Sequence, residues 1–314
     1  MQRTDASTCL ARRPARERNH NEAMPAHHSD PLANVRTFKN LSILYSNTVW
    51  YYKCSRLEIH GTTERRRNVK YEKVSIRTRG GACPAYVFTP TKSALHPAVI
   101  LYMDGFGIRP TILRMGQRLS ERGFVVLVPD LFYRIGQYEA LDPKKIFASG
   151  RVRSAISYLL DSTDNRRASE DTEAFLAYLD SREDVAGTTV GTTGYCMGGA
   201  MSLTAAATYP DRIAAAASFH GGNLATDSDD SPHLLASQIT SRIYVAGAEH
   251  DPWYPPEMAA RLKQALSNAR VDHRCETYPG TLHGWTMKDF PAYNEGAAEY
   301  HWIQLSTFLT DALA

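Results

Sequence analysis

Three residues have the types and spacing for nucleophilic chemistry: Cys196, Asp251 and His283. Cys196 is the centre of Gly194-Tyr-Cys-Met-Gly198, a G-x-C-x-G string that is the cysteine counterpart of the G-x-S-x-G nucleophile turn. A residue at the apex of a strand-to-helix turn is held in a strained conformation, and its neighbours must lack side chains so that strand and helix approach closely. The following helix offers free N–H groups and the positive end of its dipole, which favour thiolate over thiol. A base for the thiol proton and a carboxylate to steer that base complete such a device. His283 and Asp251 have those types. Competing readings are a small buried hydrophobe for Cys196, a helix cap for Asp251 and a surface-loop residue for His283. The decision rests on what delivers the three residues.

The elements that must position them begin at Asn68. Val69, Tyr71, Val74 and Ile76 lead to the turn Arg79-Gly80-Gly81, and Ala85 to Phe88 returns, which predicts a hairpin. Ala98 to Tyr102 is an unbroken apolar run, suited to a sheet covered on both faces. The turn Met103-Asp-Gly-Phe-Gly107 leads to a helix through Leu113 and Leu119 that Gly123 stops, and Phe124 to Val128 is the next strand. Residues 133–167, with helix-compatible stretches such as Arg151 to Leu160, predict a cap or excursion over the site. Glu170 to Leu179 is an amphipathic helix that leads into the cysteine turn. Ala214 to Phe219, Arg242 to Ala246 and Arg274 to Tyr278 read as strands, Pro256 to Asn268 and Ala297 to Leu313 as helices. Strand and helix alternate, so the fold class is α/β, with right-handed crossovers, a mainly parallel central sheet and helices on both faces. Cys196, Asp251 and His283 then lie beyond carboxyl ends of parallel strands, the edge where open α/β sheets bind ligands. His220, in Phe219-His-Gly-Gly at another strand end, is expected near the pocket but outside the proton path, and His250 is expected in solvent.

Composition narrows the setting. A net charge of +3 is too small to argue for nucleic acid or an anionic membrane as partner. No run approaches the roughly 20 apolar residues needed to span a bilayer. The five cysteines, Cys9, Cys54, Cys83, Cys196 and Cys275, form no C-x-x-C pair, which suggests a reducing, cytoplasmic compartment. No H-E-x-x-H or paired-cysteine spacing calls for a metal, and no cofactor is expected. Residues 1–60 read differently from the rest. Arg12, Arg13, Arg16 and Arg18 stand among Pro, His, Asn and Glu without periodicity, which predicts a disordered extension. An appended helix is the alternative; Glu17, Glu22 and Asp30 weigh against a targeting peptide. Arg65-Arg66-Arg67 reads as a solvated linker. Residues 61–314 form the catalytic domain in this reading.

Met103-Asp-Gly-Phe-Gly107, Pro129-Asp-Leu131, Gly194-Tyr-Cys-Met-Gly-Gly199, Asp251 and Leu282-His-Gly284 together resemble the dienelactone hydrolase family, a branch of the α/β-hydrolases with a Cys-His-Asp triad. The nucleophile, acid, histidine order is that of the superfamily, and the match covers roughly Val69 to Leu313. The resemblance implies an α/β-hydrolase fold and cleavage of esters or lactones, with a small-molecule substrate and a monomer or homodimer as the assembly. It implies that Cys196 attacks the carbonyl, His283 carries the proton and Asp251 holds the imidazole. It further implies an oxyanion hole from the backbone N–H groups of Met197 and Gly105, and Asp104 near the nucleophile. Tyr195, Phe106, His220, Trp253 and Trp285 are the candidate pocket walls. Two positions depart from the family. Asp104 replaces the usual glutamate, one methylene shorter, and Met287 replaces the arginine that grips a substrate carboxylate. Another arginine for that carboxylate is expected within 133–167. A broad carboxylesterase acting on hydrophobic or aryl esters is the main rival, a catalytically silent binding or regulatory protein a second, and a redox role for the cysteine a third.

Overall fold

The computed structural model describes residues 71–314. The expectations for residues 1–60 and for Arg65-Arg66-Arg67 lie outside the described residues.

The hairpin comes first, as β1 (Glu72–Thr78) and β2 (Gly81–Phe88). β3 (Ala98–Tyr102) is buried throughout, as its apolar run requires. α1 (Pro110–Ser120) starts on a proline, whose missing N–H costs nothing in the first turn. β4 (Val125–Pro129) follows. A short 3-10 turn at Tyr133–Ile135, α2 (Pro143–Ala148) and α3 (Val152–Leu160) make up the expected excursion. α4 (Asn165–Asp180) begins five residues before the periodicity suggested, because the Asp164 carboxylate accepts from Arg167 N at 2.7 Å and caps it. β5 (Val190–Tyr195) runs into α5 (Met197–Thr208). β6 (Ile213–Phe219), a second 3-10 segment at Pro232–Gln238, β7 (Arg242–His250), α6 (Pro256–Asn268), β8 (His273–Leu282) and α7 (Glu295–Leu313) complete the chain.

The eight strands form one sheet in the order β1-β2-β4-β3-β5-β6-β7-β8. β1 and β2 are antiparallel, and every pair from β4 to β8 is parallel. α1 packs on β4 and α7 on β5 and β6, the two helices being joined by the Arg118–Glu299 ion pair. α4 and α5 pack against each other, linked by Ser169 Oγ donating to Thr208 Oγ1 at 2.7 Å.

Two features of this topology bear on the site. The chain steps from β3 outward to β4 and then returns to pair β5 with the other side of β3, so the winding reverses between β3 and β5. Loops leaving their carboxyl ends diverge there and open a crevice. Second, β7 and β8 run further than the sequence suggests. Gly247 to His250 continue β7, and the register pairs His250 with Leu282 after an irregularity at Ala248/His250. The next residues, Asp251 and His283, therefore leave the sheet side by side.

Candidate active site

Cys196 caps α5 with φ 56° and ψ −118°, a region that residues with a side chain rarely occupy. Packing holds it there. A Cβ on Gly194 would lie 1.8 Å from the Gly198 carbonyl oxygen, and one on Gly198 would lie 2.4 Å from that of Tyr102 and 2.5 Å from that of Met103. The turn is thus pressed onto the end of β3, next to the loop that bears Asp104 and Gly105. The Cys196 N–H donates to Phe219 O at 3.2 Å, and its carbonyl accepts from Gly199 N at 3.0 Å. The residue itself stays partly exposed.

His283 Nδ1 lies 2.8 Å from Asp251 Oδ2. The other Asp251 oxygen accepts from Trp253 N at 3.0 Å, and its carboxylate is fully buried. With Nδ1 donating to Asp251, Nε2 is left for Cys196, whose sulfur is near enough to act on the ring. Burial works against the imidazolium, but the charge of an ionised Cys196 and the bonds to Asp251 and Cys196 outweigh it and push its pKa up to about 10. The arrangement therefore favours a proton on His283 whenever the sulfur is ionised. Asp251 is not the cap of α6, which begins after Pro255. His250 is exposed.

Of the five aromatic candidates for pocket walls, only Trp253 is exposed, at 50%, with its ring centroid 4.9 Å from that of His283. The other four belong to the interior, and that expectation is corrected. Tyr195 precedes Cys196 on the strand and projects into the core, where its hydroxyl meets His301 Nε2 at 3.0 Å. Trp285 is fully buried and stacks on Tyr278 at 4.4 Å. Phe106 is buried between Phe147 and Phe290. His220 stands behind the His283 ring, edge to face at 5.3 Å, with Nε2 2.6 Å from Thr286 Oγ1. Burial, then the neighbouring His283 and His301, hold the pKa of His220 well below the usual histidine range. It backs the site as a neutral ring and does not line a pocket.

Met197 is the first residue of α5, so its N–H has no carbonyl a turn earlier to bond. Gly105 is roofed by the excursion. A Cβ there would lie 3.2 Å from Leu160 Cδ2 and 3.4 Å from Ile156 Cδ1, both on α3. Asp104 follows β3 as expected, but both its oxygens are taken. Arg109 Nη1 donates to Oδ1 at 2.6 Å and Nη2 to Oδ2 at 2.8 Å, while Phe106 N also reaches Oδ1 at 2.9 Å. Within 133–167, Arg134 is spent on a two-pronged bond to the buried Asp171 at 2.9 Å. Arg151 and Arg153 are exposed, Arg153 one turn before Ile156 on the same face of α3. Met287 is fully buried. Sequence reasoning missed Arg109, Asp289 and the roof contacts of Ile156 and Leu160. An arginine so close to an invested aspartate in a glycine turn was the one available signal. Among the described residues no group of three or more His, Cys, Asp or Glu side chains gathers as metal ligands.

The model of the dienelactone hydrolase family matches residues 83–313. A carboxymethylenebutenolidase from Rhodococcus opacus is 26% identical over 211 residues, covering 67% of this chain and 78% of that protein. Among solved structures, a dienelactone hydrolase-like promiscuous phosphotriesterase from metagenomic libraries superposes with a TM-score of 0.62 at 21% identity, over 78% of this chain and 99% of that one. The dienelactone hydrolase of Anabaena variabilis gives a TM-score of 0.55 at 18% identity, over 78% of this chain and 99% of that one. These two likenesses establish the fold, while the family match spans the strands that carry Cys196, Asp251 and His283 together. On those grounds the chain belongs to the dienelactone hydrolase family and is a carboxylic ester hydrolase of the α/β-hydrolase fold.

Proposed function

We propose that this hydrolase cleaves small carboxylic esters or lactones through a thioester on Cys196. His283 Nε2 takes the thiol proton, and the thiolate adds to the ester carbonyl. The backbone N–H groups of Met197 and Gly105 receive the oxyanion. Collapse expels the alkoxide, which leaves with the proton from His283. Water, deprotonated by the same imidazole, then attacks the thioester; the carboxylic acid departs and the Cys196 thiol is restored. Asp251 keeps the proton of His283 on Nδ1 and stabilises the cation between steps. The observation that carries this reading is the Asp251–His283 bond, with Cys196 close enough to raise the imidazole pKa, beside the reversal of the sheet.

A second reading concerns the substrate. With Met287 buried and Arg134 committed to Asp171, an anionic acyl group lacks the family's grip, while the half-exposed Trp253 beside His283 offers an apolar face. Those features favour hydrophobic or aryl esters over dienelactone. One chain supplies all three reacting groups, so a monomer or homodimer serves equally. The free cysteines Cys83, Cys196 and Cys275 fit a reducing, cytoplasmic setting, and no described helix is long and apolar enough to cross a membrane.

Cys196→Ala is expected to abolish turnover of an aryl acetate with the fold intact by circular dichroism. Near-parental turnover in that variant sinks the thioester. A matched pair of esters, one with and one without an acyl-side carboxylate, separates the two substrate readings by kcat/KM.

A further inference from the structure

Arg109 is 3% exposed, and all five of its N–H bonds have an acceptor. Two form the fork on Asp104 already described. Nη1 also reaches Gly107 O at 3.3 Å, Nε donates to Asp289 Oδ2 at 2.7 Å, and Nη2 to Asp289 Oδ1 at 3.2 Å. The rings of Phe106 and Phe290 lie 5.7 Å and 5.2 Å from the guanidinium carbon. The two aspartates belong to different parts of the site. Asp104 opens the turn that holds Gly105, a turn closed by Gly107 N donating to Asp104 O at 3.2 Å. Asp289 lies in the loop that follows His283 and leads to α7.

That second loop has little slack. Trp285 N bonds Leu282 O at 3.1 Å, Met287 N bonds Gly284 O at 2.9 Å and Phe290 N bonds Met287 O at 2.9 Å. Gly284, at φ 90°, lies against the Phe290 ring, and a Cβ there would come 2.6 Å from its Cδ2. A force on Asp289 is therefore transmitted to His283 through consecutive tight turns. Burial opposes the charge on Arg109, but Asp104 and then Asp289 more than offset it and hold the guanidinium firmly protonated.

We infer that Arg109 is a positioning residue that locks the Gly105 turn to the His283 loop, fixing the separation between oxyanion donor and general base. The inference rests on the thioester reading above. A lysine could not replace it, since a point charge with three donors cannot fork onto one carboxylate and hold a second. Arg109 itself is a poor test, because its removal strands two buried carboxylates and threatens the fold. Asp289 is partly exposed, at 21% of its side chain, and its loss breaks only one end of the lock.

The test is Asp289→Asn in the full chain, with Asp289→Glu as the conservative control. In Asp289→Asn, kcat for an aryl acetate is expected to fall about tenfold with KM within about twofold, a fraction of what losing an oxyanion donor costs. Alkylation of Cys196 by iodoacetamide needs the sulfur and imidazole but no oxyanion donor, so its rate should fall clearly less than kcat. The glutamate should recover most of the turnover. An unchanged kcat overturns the lock, and so does an alkylation rate that falls in step with kcat, which would mark general loosening. Persisting turnover in Cys196→Ala instead overturns the thioester reading and takes the lock with it.

Discussion

Cys196, Asp251 and His283 each leave the end of a parallel strand, whereas Ile156 and Leu160, which cover Gly105, sit on a nine-residue helix with a single buried residue, Leu159. The first region is fixed by backbone register. His250 pairs with Leu282, so Asp251 and His283 emerge together, and the elbow cannot shift without driving Gly198 into β3. The second is fixed by side chains meeting across a half-exposed surface. Close-packed backbone has few alternative arrangements, while a marginal helix has many at small cost. On the proposed mechanism, the contrast assigns bond cleavage to the sheet edge and substrate choice to the excursion.

The strongest way to break that assignment is Asp251→Asn. Loss of the carboxylate favours the wrong imidazole tautomer, and turnover should fall by about 10⁴. The factor should be the same for short and long acyl esters in parallel kcat measurements. A fall that differs more than about tenfold between them would mean that the sheet edge also selects substrate.

A smaller effect sharpens the sheet-borne half. His301 Nδ1 donates to Ala298 O and its Nε2 accepts from Tyr195 Oη, both at 3.0 Å, so the ring is neutral. Burial above all pushes its pKa from 6.5 down to about 3. Between those values the unfolded chain binds the extra proton, so this contribution to stability is whole above pH 6.5 and drains away as pH falls toward 3. It amounts to about 2 kcal/mol between pH 6.5 and 5. Urea midpoints at pH 7 and pH 5 should differ less in His301→Gln than in the parent. Equal differences would show that the ring titrates freely.

The smallest effect belongs to the roof. Ile156→Ala should change the kcat/KM ratio between a long and a short acyl ester by up to about tenfold. Turnover of the better substrate should stay within about threefold. A uniform loss across esters would place Ile156 with the chemistry and not with the choice of substrate.

Legibility in the sequence followed the same division. Ala98 to Tyr102 and the glycine-flanked Cys196 were readable because their signals are local: an unbroken apolar run and a spacing. Pro256–Asn268 was read to the residue, with a proline at its start and a regular period. The ends of β7 and β8 were not, because Gly247 and His250 carry no strand preference and are kept extended by pairing with a distant neighbour. Tyr195 and Trp285 are core residues and not pocket walls, because nearness in sequence to Cys196 and His283 does not say which face a side chain takes. Arg109 was invisible for a related reason: its second carboxylate, Asp289, lies 180 residues further on.

The hydroxyl of Tyr195, the residue next to Cys196, is held by a helix residue 106 positions later. As the chain emerges from the ribosome, the elbow's own sequence is complete long before α7 arrives to brace it. On the proposed mechanism, a half-made polypeptide thus carries the Cys196 turn before the Tyr195–His301 bond behind it can form, and the order of synthesis itself delays the onset of catalysis.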